Sequence, residues 1–131
     1  MDQLGVLEQR LRKHPELAYE RTGSCVSVQA PSAQGFSVSF HAAPNEFTVH
    51  FEGWHEHFET AGEALECFAF AFSGQCRLWV VYYGSRPVRW ALQCRKDGSW
   101  VSDSDVGCLL FPFWRRRRVE YLYNPRLLEP A

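Results

Sequence analysis

The stretch "FSVSFHAAPNEFTVHF", Phe36 to Phe51, decides the fold. Phe36, Val38, Phe40 and Ala42 alternate with Ser37, Ser39 and His41, and beyond "APNE" Phe47, Val49 and Phe51 alternate with Thr48, His50 and Glu52. A period of two marks a strand with one buried face. Joining the runs with Ala42 opposite Phe47 sets Phe40 against Val49 and Val38 against Phe51, so one register collects the apolar side chains on one side. The segment is predicted to be an antiparallel hairpin.

Upstream, Leu4, Leu7, Leu11 and Ala18 sit at helical spacing. They predict an N-terminal helix over about residues 3–21, kinked or restarted at Pro15 and ended by Gly23. Downstream, Ala61, Ala64, Leu65, Phe68 and Phe72 recur at three- and four-residue steps behind Thr60 and Glu63, which are spaced as a capping box. This predicts a central amphipathic helix ending at Gly74. "CRLWVVYYG" is apolar at both parities, as in a strand covered on both faces, and turns at "GS" into "RPVRWALQC". Pairing Tyr83 with Arg86 would set Trp79 against Trp90 and Val81 against Val88. "KDGS" is a second tight-turn signal before Trp100, and "RRRRVEYLYN" reads as a last strand before Pro125.

The element order predicts an α+β fold: a single domain over residues 1–124 and a C-terminal tail over 125–131. Its mainly antiparallel sheet has about six strands, with the N-terminal helix and the central amphipathic helix packed on one face. A chain of 131 residues with 46% hydrophobic content can bury a core of this kind. No run approaches the roughly 20 apolar residues that cross a bilayer, and charges interrupt the N-terminus where a signal peptide would be apolar. The reading is a cytoplasmic protein without membrane contact. Its five widely spaced cysteines include no CxxC pair and read as reduced, buried thiols.

Charge is unevenly placed although the net value is −1. Thr22 to Cys76 contains six glutamates and no lysine or arginine, whereas Arg77 to Arg126 contains ten basic residues against four acidic ones. The halves either neutralise each other inside the fold or present faces of opposite sign. "FPFWRRRR", Phe111 to Arg118, poses the same choice locally. On a strand, Arg115 and Arg117 would project to one side and Arg116 and Arg118 to the other. One pair could reach Glu59, Glu63 and Glu66 on the central helix, where guanidinium forks suit carboxylates. Alternatively Trp114 with Arg115–Arg118 contacts a partner, and Phe70 with Glu59, Glu63 and Glu66 offers a second, acidic contact face. Aromatic residues beside arginines are the composition of a protein interface. A phosphate-binding patch needs basic side chains on one surface, so Arg115–Arg118 as a nucleic-acid site is the third reading.

His41, His50, His55 and His57 fall within seventeen residues. In the predicted hairpin His41 and His50 are diagonal neighbours, roughly 7 Å apart at the backbone and close enough to share an ion, with Glu52 or His57 as a third ligand. The competing account is a set of solvent-facing imidazoles. No GxSxG elbow or phosphate-cradling glycine loop is present. Asp103 and Asp105 in "SDSD" read as solvated turn residues.

"LRKHPELAYERTG", Leu11 to Gly23, resembles the "HPEL…E" segment of zinc-dependent amidohydrolases of the aminoacylase and carboxypeptidase type, whose metal-ligand segments have no counterpart downstream; it reads as a helix-forming stretch. Trp54, Phe58 and Glu63-Ala64-Leu65 ("W…F…EAL"), Asp97–Trp100 ("DGxW"), Phe111–Trp114 ("FPFW") and Val119–Asn124 ("VxYLxN") resemble a group of small bacterial proteins of unassigned activity. That resemblance implies a bacterial cytoplasmic protein and no particular chemistry. Together these features predict a non-enzymatic protein-binding module (adaptor, inhibitor or immunity type) without a cofactor, able to self-associate. The alternative is a small metal-dependent enzyme or metal binder using His41, His50 and Glu52.

Overall fold

The computed structural model describes residues 3–108 and 112–126. Phe111 of the "FPFW" block and residues 127–131 of the predicted tail lie outside the described residues. Among the described residues, two helices and nine strands follow in the order α1 (Gln3–Arg12), β1 (Tyr19–Thr22), β2 (Cys25–Val28), β3 (Val38–Ala43), β4 (Glu46–Phe51), β5 (Trp54–Phe58), α2 (Ala61–Phe70), β6 (Cys76–Tyr83), β7 (Arg86–Lys96), β8 (Ser99–Gly107) and β9 (Arg117–Leu122). The fold is the expected α+β class in one domain, with its strands divided between two antiparallel sheets ordered β1-β2-β3-β4-β5 and β8-β7-β6-β9. The described residues hold nine strands rather than about six.

The decisive hairpin has the predicted register, with Val38 opposite Phe51, Phe40 opposite Val49 and Ala42 opposite Phe47. The N-terminal helix is shorter than its spacing suggested. It stops at Arg12, ahead of Pro15, and Tyr19–Thr22 forms the edge strand β1. Gly23, at a φ of 57°, therefore closes the β1–β2 turn instead of ending a helix. α2 begins as predicted: the Thr60 hydroxyl accepts from the Glu63 N–H and donates to the Glu63 carboxylate.

The four-stranded sheet departs from the expected register. Tyr83 does pair with Arg86, but a bulge at Val88 shifts the remainder, so Trp79 faces Ala91 and Val81 faces Arg89. The extra residue displaces every later pair by one. β9 starts at Arg117, which leaves Arg115 and Arg116 in the preceding turn.

One core joins all layers. Leu4, Leu7 and Leu11 of α1, Ala64 and Phe68 of α2, Val26, Phe40, Val49 and Phe51 of the five-stranded sheet, and Leu78, Val80 and Leu92 of the four-stranded sheet belong to one buried cluster. α2 lies against β3, β4 and β5, and α1 against β2. The sheets meet where the buried Trp54 indole donates to Ser104 Oγ at 2.9 Å. There Gly53 approaches Trp90 so closely that a Cβ would fall 2.4 Å from the indole. Each sheet thus spends one face on the common core and turns the other outward.

Candidate functional site

The outer face of the four-stranded sheet follows from strand alternation: Arg77, Trp79, Val81 and Tyr83 on β6, Arg86, Arg89, Ala91, Gln93 and Arg95 on β7, Trp100 and Asp105 on β8, and Arg117, Val119 and Tyr121 on β9. Val81, Val88 and Ala91 are buried yet stand apart from the core cluster, so they form a separate apolar floor. Over it, the Arg77 guanidinium lies 4.0 Å from the Tyr121 ring and 4.4 Å from the Trp100 ring, and Arg95 covers Trp100 at 5.0 Å. Arg77 also donates to Gln93 Oε1 at 2.6 Å and to the Tyr123 hydroxyl at 3.3 Å. Stacking and hydrogen bonds hold the guanidinium plane in place, which a lysine could not reproduce. Arg89 is paired with Asp105. Arg95 and Arg117 have no carboxylate partner among the described residues. A concavity of about 390 Å³ lies between Trp79, Val81, Tyr83, Val88, Arg89 and Arg117.

The run Arg115–Arg118 is not a unit. Arg115 lies across Gly84, Arg117 faces outward beside Tyr83, and Arg118 turns to the other side, stacking on Tyr82 at 4.5 Å and pairing with Glu120. None of the four pairs with Glu59, Glu63 or Glu66 among the described residues. The expected ion pairs are absent there because α2 lies against the five-stranded sheet. Trp114 sits with Phe113 in the turn before β9, each 72% exposed.

The acidic residues gather elsewhere. Glu63, Glu66 and Phe70 of α2 join Glu56, Phe58, Leu92 and Asp103 around a concavity of about 400 Å³, while Glu59 lies outside it. Burial, then Asp103, raises the Glu56 pKa. Cys67 below is pushed up to about 12, chiefly by burial, so its thiol stays protonated at neutral pH.

The outer face of the five-stranded sheet carries the imidazoles. His41 is opposite Cys25, His50 opposite Ser39 and His55, and His57 opposite Thr48. Ring centroids are 4.9 Å apart for His41 and His50, 5.4 Å for His50 and His55, and 5.5 Å for His55 and His57. Burial and the three neighbouring imidazoles lower the pKa of His50. His57 is engaged by Glu46 at 2.7 Å and Thr48 at 3.0 Å.

Glu52 does not join this face. At a φ of 55° it leaves the strand alternation, and its carboxylate accepts the Ser37 N–H at 2.8 Å and lines a concavity with Tyr82 and Trp90. The predicted set of His41, His50 and Glu52 is therefore not assembled. Among the described residues, no three histidine, cysteine, aspartate or glutamate side chains converge as metal ligands. Cys25, missed in the sequence, does stand beside the imidazoles, with Sγ 3.6 Å from His41 Nε2. "CVSV" alternates and could have revealed its strand, though not its register.

Fold and faces define a two-sheet α+β domain with outward surfaces of contrasting chemistry. Comparison with protein-family models, curated proteins and solved structures gives no match. No helix among the described residues is long and apolar enough to cross a membrane.

Proposed function

We propose that the protein is a non-enzymatic protein-binding module of a bacterial cytoplasm, and that it docks an acidic surface of its partner on the outer face of the four-stranded sheet. The observation that carries this reading is the ordered chain Arg95, Trp100, Arg77 and Tyr121 on an open, net-basic sheet face. Tryptophan, tyrosine and arginine dominate binding energy where they are held rigid, because little side-chain freedom is then lost on docking. Among the described residues, five arginines, Arg77, Arg86, Arg89, Arg95 and Arg117, share the face with Asp105 as its one acid, so complementarity calls for a carboxylate-rich partner. The free cysteines accord with a reducing compartment. The "W…F…EAL", "DGxW", "FPFW" and "VxYLxN" resemblance supports the bacterial setting.

The test is affinity capture with the full chain, compared with Arg95→Glu/Arg117→Glu after circular dichroism shows that both fold alike. The expected partner is acidic, its binding weakens with salt, and the charge reversal lowers affinity on the order of 100-fold. Unchanged affinity for the same partner would overturn the assignment of the face. Salt-sensitive capture of random oligonucleotides, lost in the same variant, would replace a protein partner with a nucleic acid.

A further inference from the structure

Four of the chain's five histidines stand on the outer face of the five-stranded sheet, and three potential donor side chains from three adjacent strands neighbour one another around Ser39. Cys25 comes from β2, with Sγ 3.5 Å from Ser27 Oγ and 3.6 Å from His41 Nε2. His41 comes from β3, its Nε2 3.2 Å from Ser39 Oγ. His50 comes from β4, directly opposite Ser39, its ring 4.9 Å from that of His41.

These separations can be set against coordination geometry. A thiolate about 2.3 Å and an imidazole nitrogen about 2.0–2.1 Å from one tetrahedral zinc ion are ~3.6 Å apart, and two imidazoles on such an ion have centroids ~5 Å apart. The Cys25–His41 and His41–His50 pairs already have these spacings. The three donors do not converge on a point in this structure, so binding an ion requires their side chains to rotate together.

We propose that Cys25, His41 and His50 form a site for one borderline divalent transition-metal ion, of the zinc or cobalt class, on the open face of the five-stranded sheet. Binding breaks the Cys25 S–H bond; the proton passes to solvent and the sulfur electron pair goes to the metal. His41 gives up its contact with Ser39 to ligate, and the fourth position faces water. A thiolate with two imidazoles selects this class over magnesium or calcium, which take oxygen ligands. His57 stays outside the set because Glu46 and Thr48 engage it. The site lies on the other sheet from the basic face and does not depend on the protein-binding reading.

The experiment titrates cobalt(II) into the chelator-treated full chain. Expected are one ion per chain, a thiolate-to-cobalt charge-transfer absorption, and displacement by zinc. Cys25→Ser should abolish that absorption, and His41→Ala and His50→Ala should each weaken binding by at least ~100-fold, since loss of a group that merely orients a ligand costs 10–100-fold. Cys108→Ser, at an exposed thiol just beyond the end of β8, and His57→Ala should leave the spectrum unchanged. Absence of the charge-transfer band, or its survival in a folded Cys25→Ser variant, would overturn the site.

Discussion

Replacing Asn124 with alanine should be among the most damaging single substitutions in this chain, although the residue stands at its C-terminal end. Its side chain is buried, accepting the Phe36 N–H at 2.9 Å and donating to the Phe36 carbonyl at 3.0 Å. Phe36 is fully buried, so the truncation leaves a backbone donor and acceptor without partners. Each costs about 1–3 kcal/mol, for a total of ~2–6 kcal/mol. In urea unfolding the midpoint should fall by about 0.7 M or more at a slope of ~1–3 kcal/mol/M, with the slope itself unchanged. Asn124→Asp discriminates further. A carboxylate can still accept from Phe36 N–H but opposes Phe36 C=O, so at neutral pH this variant should be at least as unstable as alanine and should recover in acid, when the carboxyl can donate again. Gly35→Ala should couple to the same position, because a Cβ there would lie 2.8 Å from Asn124 Oδ1; its cost should shrink in the Asn124→Ala background. A loss below about 0.5 kcal/mol for Asn124→Ala would refute the clamp.

Two further outcomes follow from the packing between layers. Gly53→Ala should cost about 1–3 kcal/mol in chemical denaturation, since its Cβ would meet the Trp90 ring where the sheets touch; a neutral result would mean that the sheets can part there freely. Glu56→Gln should raise the melting temperature at pH 7 and leave it unchanged near pH 3. The folded protein holds the Glu56 proton more tightly than the unfolded chain, so the associated stability is present below the ordinary value of 4.5 and is lost as pH rises through the raised folded value. An unchanged difference between wild type and variant across that range would contradict the shift.

Local alternation made the β3–β4 hairpin legible to the residue, because one register alone buries its apolar set. The same reasoning failed where the decisive partner was distant or the period broke. Asn124 read as the edge of a tail because its partner is 88 residues away. Glu52 continued the alternation on paper, but a positive φ takes it out of the strand. β1 escaped notice because "YERT" is an exposed edge strand with no apolar alternation, and without β1 and β2 Cys25 could not be placed beside His41. The two-sided apolar pattern of β6 suggested cover on both faces, and the strand has no exposed residue, with Val81 buried and Trp79 and Tyr83 half-buried on the outer side of its sheet.

The charge segregation seen along the chain gains its meaning from this topology. The acidic half builds β2 to β5 and α2, and the basic half builds the four-stranded sheet. Had the halves neutralised each other, arginines of β9 would meet glutamates of α2. Arg118 instead pairs with Glu120 and Arg89 with Asp105, both within the basic half, and His57 pairs with Glu46 within the acidic one. Local pairing leaves Arg95 and Arg117 on one sheet and Glu63 and Glu66 around the concavity beside α2. Separated charge of this kind adds little to folding, since exposed ions gain only modestly from being near one another. It acts at longer range, orienting an incoming partner and penalising the wrong sign. The basic face should therefore set the rate of encounter as well as the strength of binding, and charge reversal there should slow association, most visibly at low salt.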